Sequence, residues 1–120
     1  MIPEIILPWP PKALSPNARV HWSVKSKAAK AYRAACWVET LRAGLRDRLP
    51  EVWNFHLWID FYRPTRRVYD ADNCLSSIKS GIDGIADALG VNDSRFVFHP
   101  FVCDQIGGMV KVRITAGPSA

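Results

Sequence analysis

The stretch "VWNFHLWIDFYRP", residues 52–64, sets Trp53, Phe55, Leu57, Ile59 and Phe61 in alternation with Asn54, His56 and Asp60. Side chains of an extended chain point alternately to opposite faces, so this period predicts a strand with one buried face, ended by Pro64. Directly afterwards the period changes. In "RRVYDADNCLSSIKSGIDGIADALG", residues 66–90, Leu75, Ile78, Ile82, Ile85 and Leu89 recur at helical spacing. Asp72 is placed to cap the N-terminus of this helix and Gly90 to end it. Asp72, Ser76, Lys79, Asp83 and Asp87 form a polar stripe, and Ser77, Gly81, Gly84 and Ala88 a stripe of small residues. A glycine within a helix costs about 1 kcal/mol relative to alanine, so Gly81 and Gly84 predict the close approach of another backbone. A dimer interface is one candidate for that approach.

Working outward, "IPEIILPW" (residues 2–9) predicts a first strand, stopped by "PWPP". The Pro-, Ser- and Asn-rich "PKALSPNARVHWS" (11–23) predicts a structured loop. From Ser23 to about Arg46 a helix is expected, burying Ala28, Ala31, Tyr32, Ala35, Val38, Leu41 and Leu45, with Lys27, Lys30, Arg33 and Trp37 largely off that face. The segments "RFVFHPFVCD" (95–104) and "MVKVRITA" (109–116) read as strands joined in a hairpin through "IGG". The order β-loop-α-β-α-β-β predicts an α+β fold: a small mixed sheet of about four strands with two main helices packed on it. At 120 residues a single domain over 1–120 is expected.

Composition narrows the function classes. Apolar content of 48% with 22% charged residues is that of a soluble globular protein. No stretch approaches the roughly 20 apolar residues of a membrane span. "MIPEIILPWPP" lacks the basic start and long apolar run of a signal peptide. Cys36, Cys74 and Cys103 form neither a CxxC nor a pattern shared with histidines, which predicts reduced thiols and a cytoplasmic protein. His21, His56 and His99 have no ligand-like spacing and are expected to be ordinary surface or half-buried residues.

The net charge is +5, and its distribution says more than its size. Arg19, Lys25, Lys27, Lys30 and Arg33 crowd one segment; Arg63, Arg66 and Arg67 crowd the approach to Asp70. Such clusters suit a polyanionic partner, although a solvated helix face would look the same. Asp70 and Asp72, two apart in extended chain, project the same way. Two carboxylates about 4 Å apart repel by about 4 kcal/mol at an effective dielectric of 20, a penalty a divalent cation removes. Oxygen-only ligands indicate Mg²⁺ or Mn²⁺. Asp93 closes the cluster if its strand pairs beside the incoming one, while Lys79, on the helical face of Asp72, is placed to touch a phosphate. Asn73 is a candidate to orient a ligand. Taken alone, the D-x-D also fits a turn with a helix cap.

The succession "LPWPP", "KALSPNARVHWSVKSKAAKAYR" and "YDADN…IKSGIDGIADALGVNDSRF" resembles the RusA family of Holliday junction resolvases, in its phage and prophage branch, over nearly the whole chain. The resemblance implies a small homodimeric, Mg²⁺-dependent endonuclease that cuts four-way DNA junctions by paired nicks, in recombination and repair. It implies catalytic and metal-binding roles for Asp70, Asp72 and Asp93, a functional role for Lys79, and supporting roles for Asn73, Asp83 and Asn92. The family often carries Asp-Asp where this chain has Asn92-Asp93, and "CLSS" lengthens the gap before Lys79 by about one helical turn. Arg19, Lys25, Lys27, Lys30, Arg66 and Arg67 are the expected DNA-binding residues. A non-catalytic protein binding branched DNA, and a nuclease for other branched or flapped DNA, are the alternatives.

Overall fold

The strand of residues 52–64 forms as Phe55–Tyr62 (β2), with its residues alternately buried and half-exposed as the sequence predicts. The computed structural model describes residues 4–118. Its other strands are Ile5–Pro8 (β1), Phe96–Cys103 (β3) and Met109–Thr115 (β4), and its helices Trp22–Ala43 (α1), Ala71–Ser77 (α2) and Lys79–Leu89 (α3). Ile2 and Pro3 of the predicted first strand lie outside the described residues. The four strands form one mixed sheet in the order β1-β4-β2-β3, an α+β architecture with the helices packed on it.

The predicted β3–β4 hairpin does not form. β3 runs parallel to β2, with Phe55 opposite Phe96 and Tyr62 opposite Cys103, while β4 runs antiparallel along the other edge of β2. The cause lies in the intervening glycines. The Gly107 N–H donates to the Arg63 carbonyl (2.9 Å) and the Gly108 N–H to that of Tyr62 (2.8 Å), so the chain is drawn across the end of β2 before turning back. Gly108 makes that turn at φ 73°.

The second predicted helix is two. Ile78 leaves helical geometry at φ −100°, ψ 11°, and separates α2 from α3. The Ser77 hydroxyl donates to the Asn73 carbonyl at 2.8 Å, a local bond that competes with the helix ladder. Full burial of Ile78 holds the break against the core. The cap also moves. Asp70, not Asp72, precedes α2 in extended geometry, and its Oδ1 accepts from the N–H groups of Asp72 (2.8 Å) and Asn73 (3.2 Å). Gly90 ends α3 as expected, at φ 70°.

The first helix keeps Tyr32 of the predicted face in the core, with Leu45 buried just beyond its end, but turns the rest of its buried face away from the one predicted. Tyr32, Cys36 and Thr40 are buried, whereas Ala31, Val38 and Leu41 are exposed. Apolar residues are spread nearly evenly around α1, so spacing alone does not choose a face; the glycines of α3 do. A Cβ on Gly84 would collide with the Arg33 carbonyl oxygen, and one on Gly81 would stand 2.6 Å from Tyr32 Cε2 and 2.7 Å from Cys36 Sγ. The small-residue stripe is therefore an intramolecular seam between α1 and α3, not the dimer interface considered above. Tyr32 is fixed at the other end by its hydroxyl, which donates to the Pro8 carbonyl at 2.7 Å.

One core runs between helices and sheet, with Ile5, Leu7, Phe55, Leu57, Ile59, Phe61, Val110, Val112 and Ile114 on the sheet side and Ile78, Ile82, Ile85 and Leu89 opposite. On the other face of the sheet His56 Nδ1 meets His99 Nε2 at 2.8 Å, and Trp58 stacks on the His99 ring at 4.0 Å. Strand register brought these histidines together, which their spacing in the chain did not disclose. Trp53, predicted as part of the strand alternation, precedes β2 and is exposed beneath the Arg95 guanidinium.

Candidate functional site

Two elements bring the basic loop to Asp70. Trp9 packs edge-on against Phe61 in the core (6.1 Å between centroids) and against Tyr69 (5.3 Å), so "LPWPP" and the residues before Asp70 share an aromatic anchor. Arg63 secures the segment from below, donating to the carbonyls of Arg67 (3.2 Å) and Asp104 (3.0 Å). The result is a hollow of about 450 Å³ lined by Asp70 and Asn73 with Lys12, Arg19 and Arg67 among their neighbours. Asp70 thus sits in a cationic surround. Its one capped oxygen, Oδ1, is held by backbone N–H groups.

Ser77 belongs to this hollow and also to a groove of about 630 Å³ between the start of α1 and the α2–α3 junction. Lys79 and Asp83 line that groove, and with Ser76 they also line a smaller hollow of about 250 Å³ that contains Asp93. Shared walls make the three recesses neighbours. Asp70, Asn73, Lys79, Asp83 and Asp93, separated by up to 23 positions in the chain, therefore border one strip of surface. Asp72 is exposed in the first turn of α2 and lines none of the three. Asn92 is a cap: its Oδ1 accepts from the Ser94 N–H at 2.9 Å.

The expected convergence of carboxylates is not seen. Among the described residues no three His, Cys, Asp or Glu side chains gather as a metal-binding group. Pairing of β3 beside β2 occurs, but Asp93 starts the short turn Asp93–Arg95 that precedes β3, at the end where β2 begins, whereas Asp70 follows the segment leaving the opposite end of β2. Their oxygen donors fit a hard divalent cation in kind, but their placement leaves the set open.

Among the cations, Arg19 and Arg67 line the hollow of Asp70 and Lys25 the groove of Lys79. Lys27, Lys30 and Arg66 are exposed but line none of the recesses. Arg33 is engaged, its Nε donating to Asp87 Oδ2 at 2.7 Å. That bond, more than the charge beside it, holds the Asp87 carboxyl below the ordinary carboxylate range. Under the site, burial and then the charge of Asp70 push the Cys74 thiol up, so it stays protonated and inert. Sequence reasoning missed Lys12 and Ser80 and read Ser76 and Ser77 only as members of the polar and small-residue stripes; only the folded chain sets them beside the site.

No helix among the described residues is long and apolar enough to cross a membrane. No family model matches the chain. An uncharacterized protein of Xylella fastidiosa (strain Temecula1) is 50% identical to it over 115 residues, an alignment that covers 93% of this chain and 75% of that protein. Identity at that level over nearly the whole chain places the two in one family, and the chain belongs to the family of this bacterial protein.

Proposed function

We propose that this chain is a RusA-type, Mg²⁺-dependent, structure-specific endodeoxyribonuclease that resolves four-way DNA junctions by paired symmetric nicks, as a homodimer in the bacterial cytoplasm. The observation that carries the reading is the shared strip of surface: Asp70, Asn73, Lys79, Asp83 and Asp93 border adjoining recesses, with Arg19, Arg67 and Lys25 beside them. Cations next to carboxylates suit a site that must attract a polyanion and then act on one phosphodiester within it. Arg19, Arg67 and Lys25 grip backbone phosphates, and the Lys79 ammonium steadies charge developing on the scissile phosphate. The resemblance assigns Mg²⁺, or Mn²⁺ in its place, to Asp70, Asp72 and Asp93, whose carboxylates the fold leaves apart. A divalent cation bound there would supply an activated water and neutralise charge on the leaving oxygen. A two-fold dimer suits the two-fold junction, one site per nicked strand.

A second reading has its own observation. The open placement of Asp70, Asp72 and Asp93 favours a protein that binds branched DNA without cutting it. A nuclease for flaps or three-way branches would use the same residues as the first reading. Incubation of a labelled four-way junction with Mg²⁺, Mn²⁺ or EDTA, beside Asp72→Asn, separates them. Metal-dependent paired nicks that vanish in the variant while binding survives support the resolvase. Binding without cleavage under either metal supports the second reading, and preferential cutting of flap or three-way substrates the third.

A further inference from the structure

Trp22 opens α1 with 75% of its surface exposed, at the rim of the groove between α1 and α3. A large aromatic left so open at the edge of a cavity is not serving the core. It is also held in place: His21 caps α1 through Nδ1, which accepts from the Ser23 N–H (3.2 Å) and lies 2.7 Å from its hydroxyl, and the imidazole leans on the indole at 5.5 Å between centroids. Behind the ring, Lys25 of α1 and Lys79 of α3 line opposite walls, and neither is in an ion pair among the described residues. Asp83 is the groove's one carboxylate. Ser77 and Ser80 complete the lining, the Ser77 hydroxyl being given to the Asn73 carbonyl and the Ser80 Oγ lying buried beneath the surface.

An exposed aromatic platform beside a groove lined by two unpaired lysines describes the complement of a nucleotide with its base unstacked. The groove's volume of about 630 Å³ lies within the range of small-molecule sites. We infer that Trp22 stacks an unpaired nucleobase of the DNA substrate, while Lys25 and Lys79 hold the phosphate attached to it; this rests on the nucleic-acid reading above. Every base offers a π-face, so the site is indifferent to sequence and selects for bases freed from a duplex, such as those at a branch point.

The test compares wild type, Trp22→Ala, Trp22→Phe and Lys25→Ala in binding a short single-stranded thymidine oligonucleotide and its abasic counterpart. Stacking on one aromatic is worth about 5- to 150-fold in affinity. Trp22→Ala is expected to lose that factor for the thymidine strand and nothing for the abasic one, with Trp22→Phe restoring most of it. Lys25→Ala should weaken both strands. Thermal melting of each variant establishes that the fold is intact, as the exposure of Trp22 leads one to expect. Equal affinity of Trp22→Ala and wild type overturns the inference, as does an equal loss on both strands. A wild type that cuts the four-way junction but ignores the thymidine strand sinks this inference alone. A wild type that binds the strand through Trp22 yet cuts no branched DNA with any metal sinks the nuclease reading and leaves the groove standing.

Discussion

Arg33 meets α3 twice: its guanidinium pairs with Asp87 at 2.7 Å, and its carbonyl oxygen occupies the space where a Gly84 side chain would be. The ion pair is exposed and contributes little in salt. The backbone contact is not adjustable, because a carbonyl in a helix cannot swing aside.

Gly84→Ala is therefore expected to destabilise the fold by about 1–3 kcal/mol, the usual range for overpacking. Gly81→Ala should cost less, because the atoms it meets belong to the side chains of Tyr32 and Cys36, which can shift. Urea unfolding of both variants checks this. A Gly84→Ala protein as stable as wild type would show that the two helices are farther apart than described.

Asp70 has two duties that substitution can separate. Asp70→Ala removes the cap of α2 and should cost about 0.5–2 kcal/mol of stability. Asparagine caps as well as aspartate, so Asp70→Asn should keep the wild-type melting temperature while losing Mg²⁺-dependent cleavage. Loss of stability in both variants to the same degree would mean that the carboxylate charge, not the acceptor, supports the helix.

Alkali should loosen the α1–α3 seam. Burial pushes the Cys36 thiol up from 9.0 to about 12 and pushes the Tyr32 hydroxyl up as well. Folding favours the protonated forms of both, so their contribution is complete below the unfolded thiol value and is lost as pH rises from 9 towards 12. The melting temperature should fall across that window, and less steeply in Cys36→Ser. A flat profile would contradict burial of these groups.

DNA affinity should fall steeply with salt, and the site-lining cations should account for the slope. Each phosphate contact contributes about 0.9 to the logarithmic dependence on duplex DNA. Arg19→Ala, Arg67→Ala and Lys25→Ala should each reduce the slope by about that amount. Lys27→Ala and Lys30→Ala should reduce it less, because these side chains stand about 200° and 140° around α1 from Lys25. Equal effects of all five would mean that DNA wraps the helix and does not follow the recesses.

Local pattern disclosed β2, the stripe of Ile78, Ile82, Ile85 and Leu89, the stop at Gly90 and the close approach implied by two helical glycines. Each of these is written within one helix or one strand. Three things were not local. The buried face of α1 was decided by the glycines of α3, about fifty residues away. The pairing of β3 and β4 was decided by hydrogen bonds from Gly107 and Gly108 to the end of β2. The meeting of Lys79, Asp83 and Asp93 in one hollow depended on how α3 leads into β3. Site residues were thus legible as types, and their grouping only as geometry.

The sheet order carries one more consequence. β1 touches no strand except β4, and β4 is the last strand of the described chain. During synthesis β1 is therefore made well before β4, its one strand partner among the described residues, and its ladder waits for that strand. The sheet pairing of β1, and of the Leu7 and Pro8 that open "LPWPP", is completed late, from the C-terminal side. A nascent or proteolysed chain that lacks β4 keeps Asp70, Lys79 and Asp93 in its sequence but holds the loop of Arg19 beside them only through the Trp9 ring contacts and the Tyr32–Pro8 hydrogen bond.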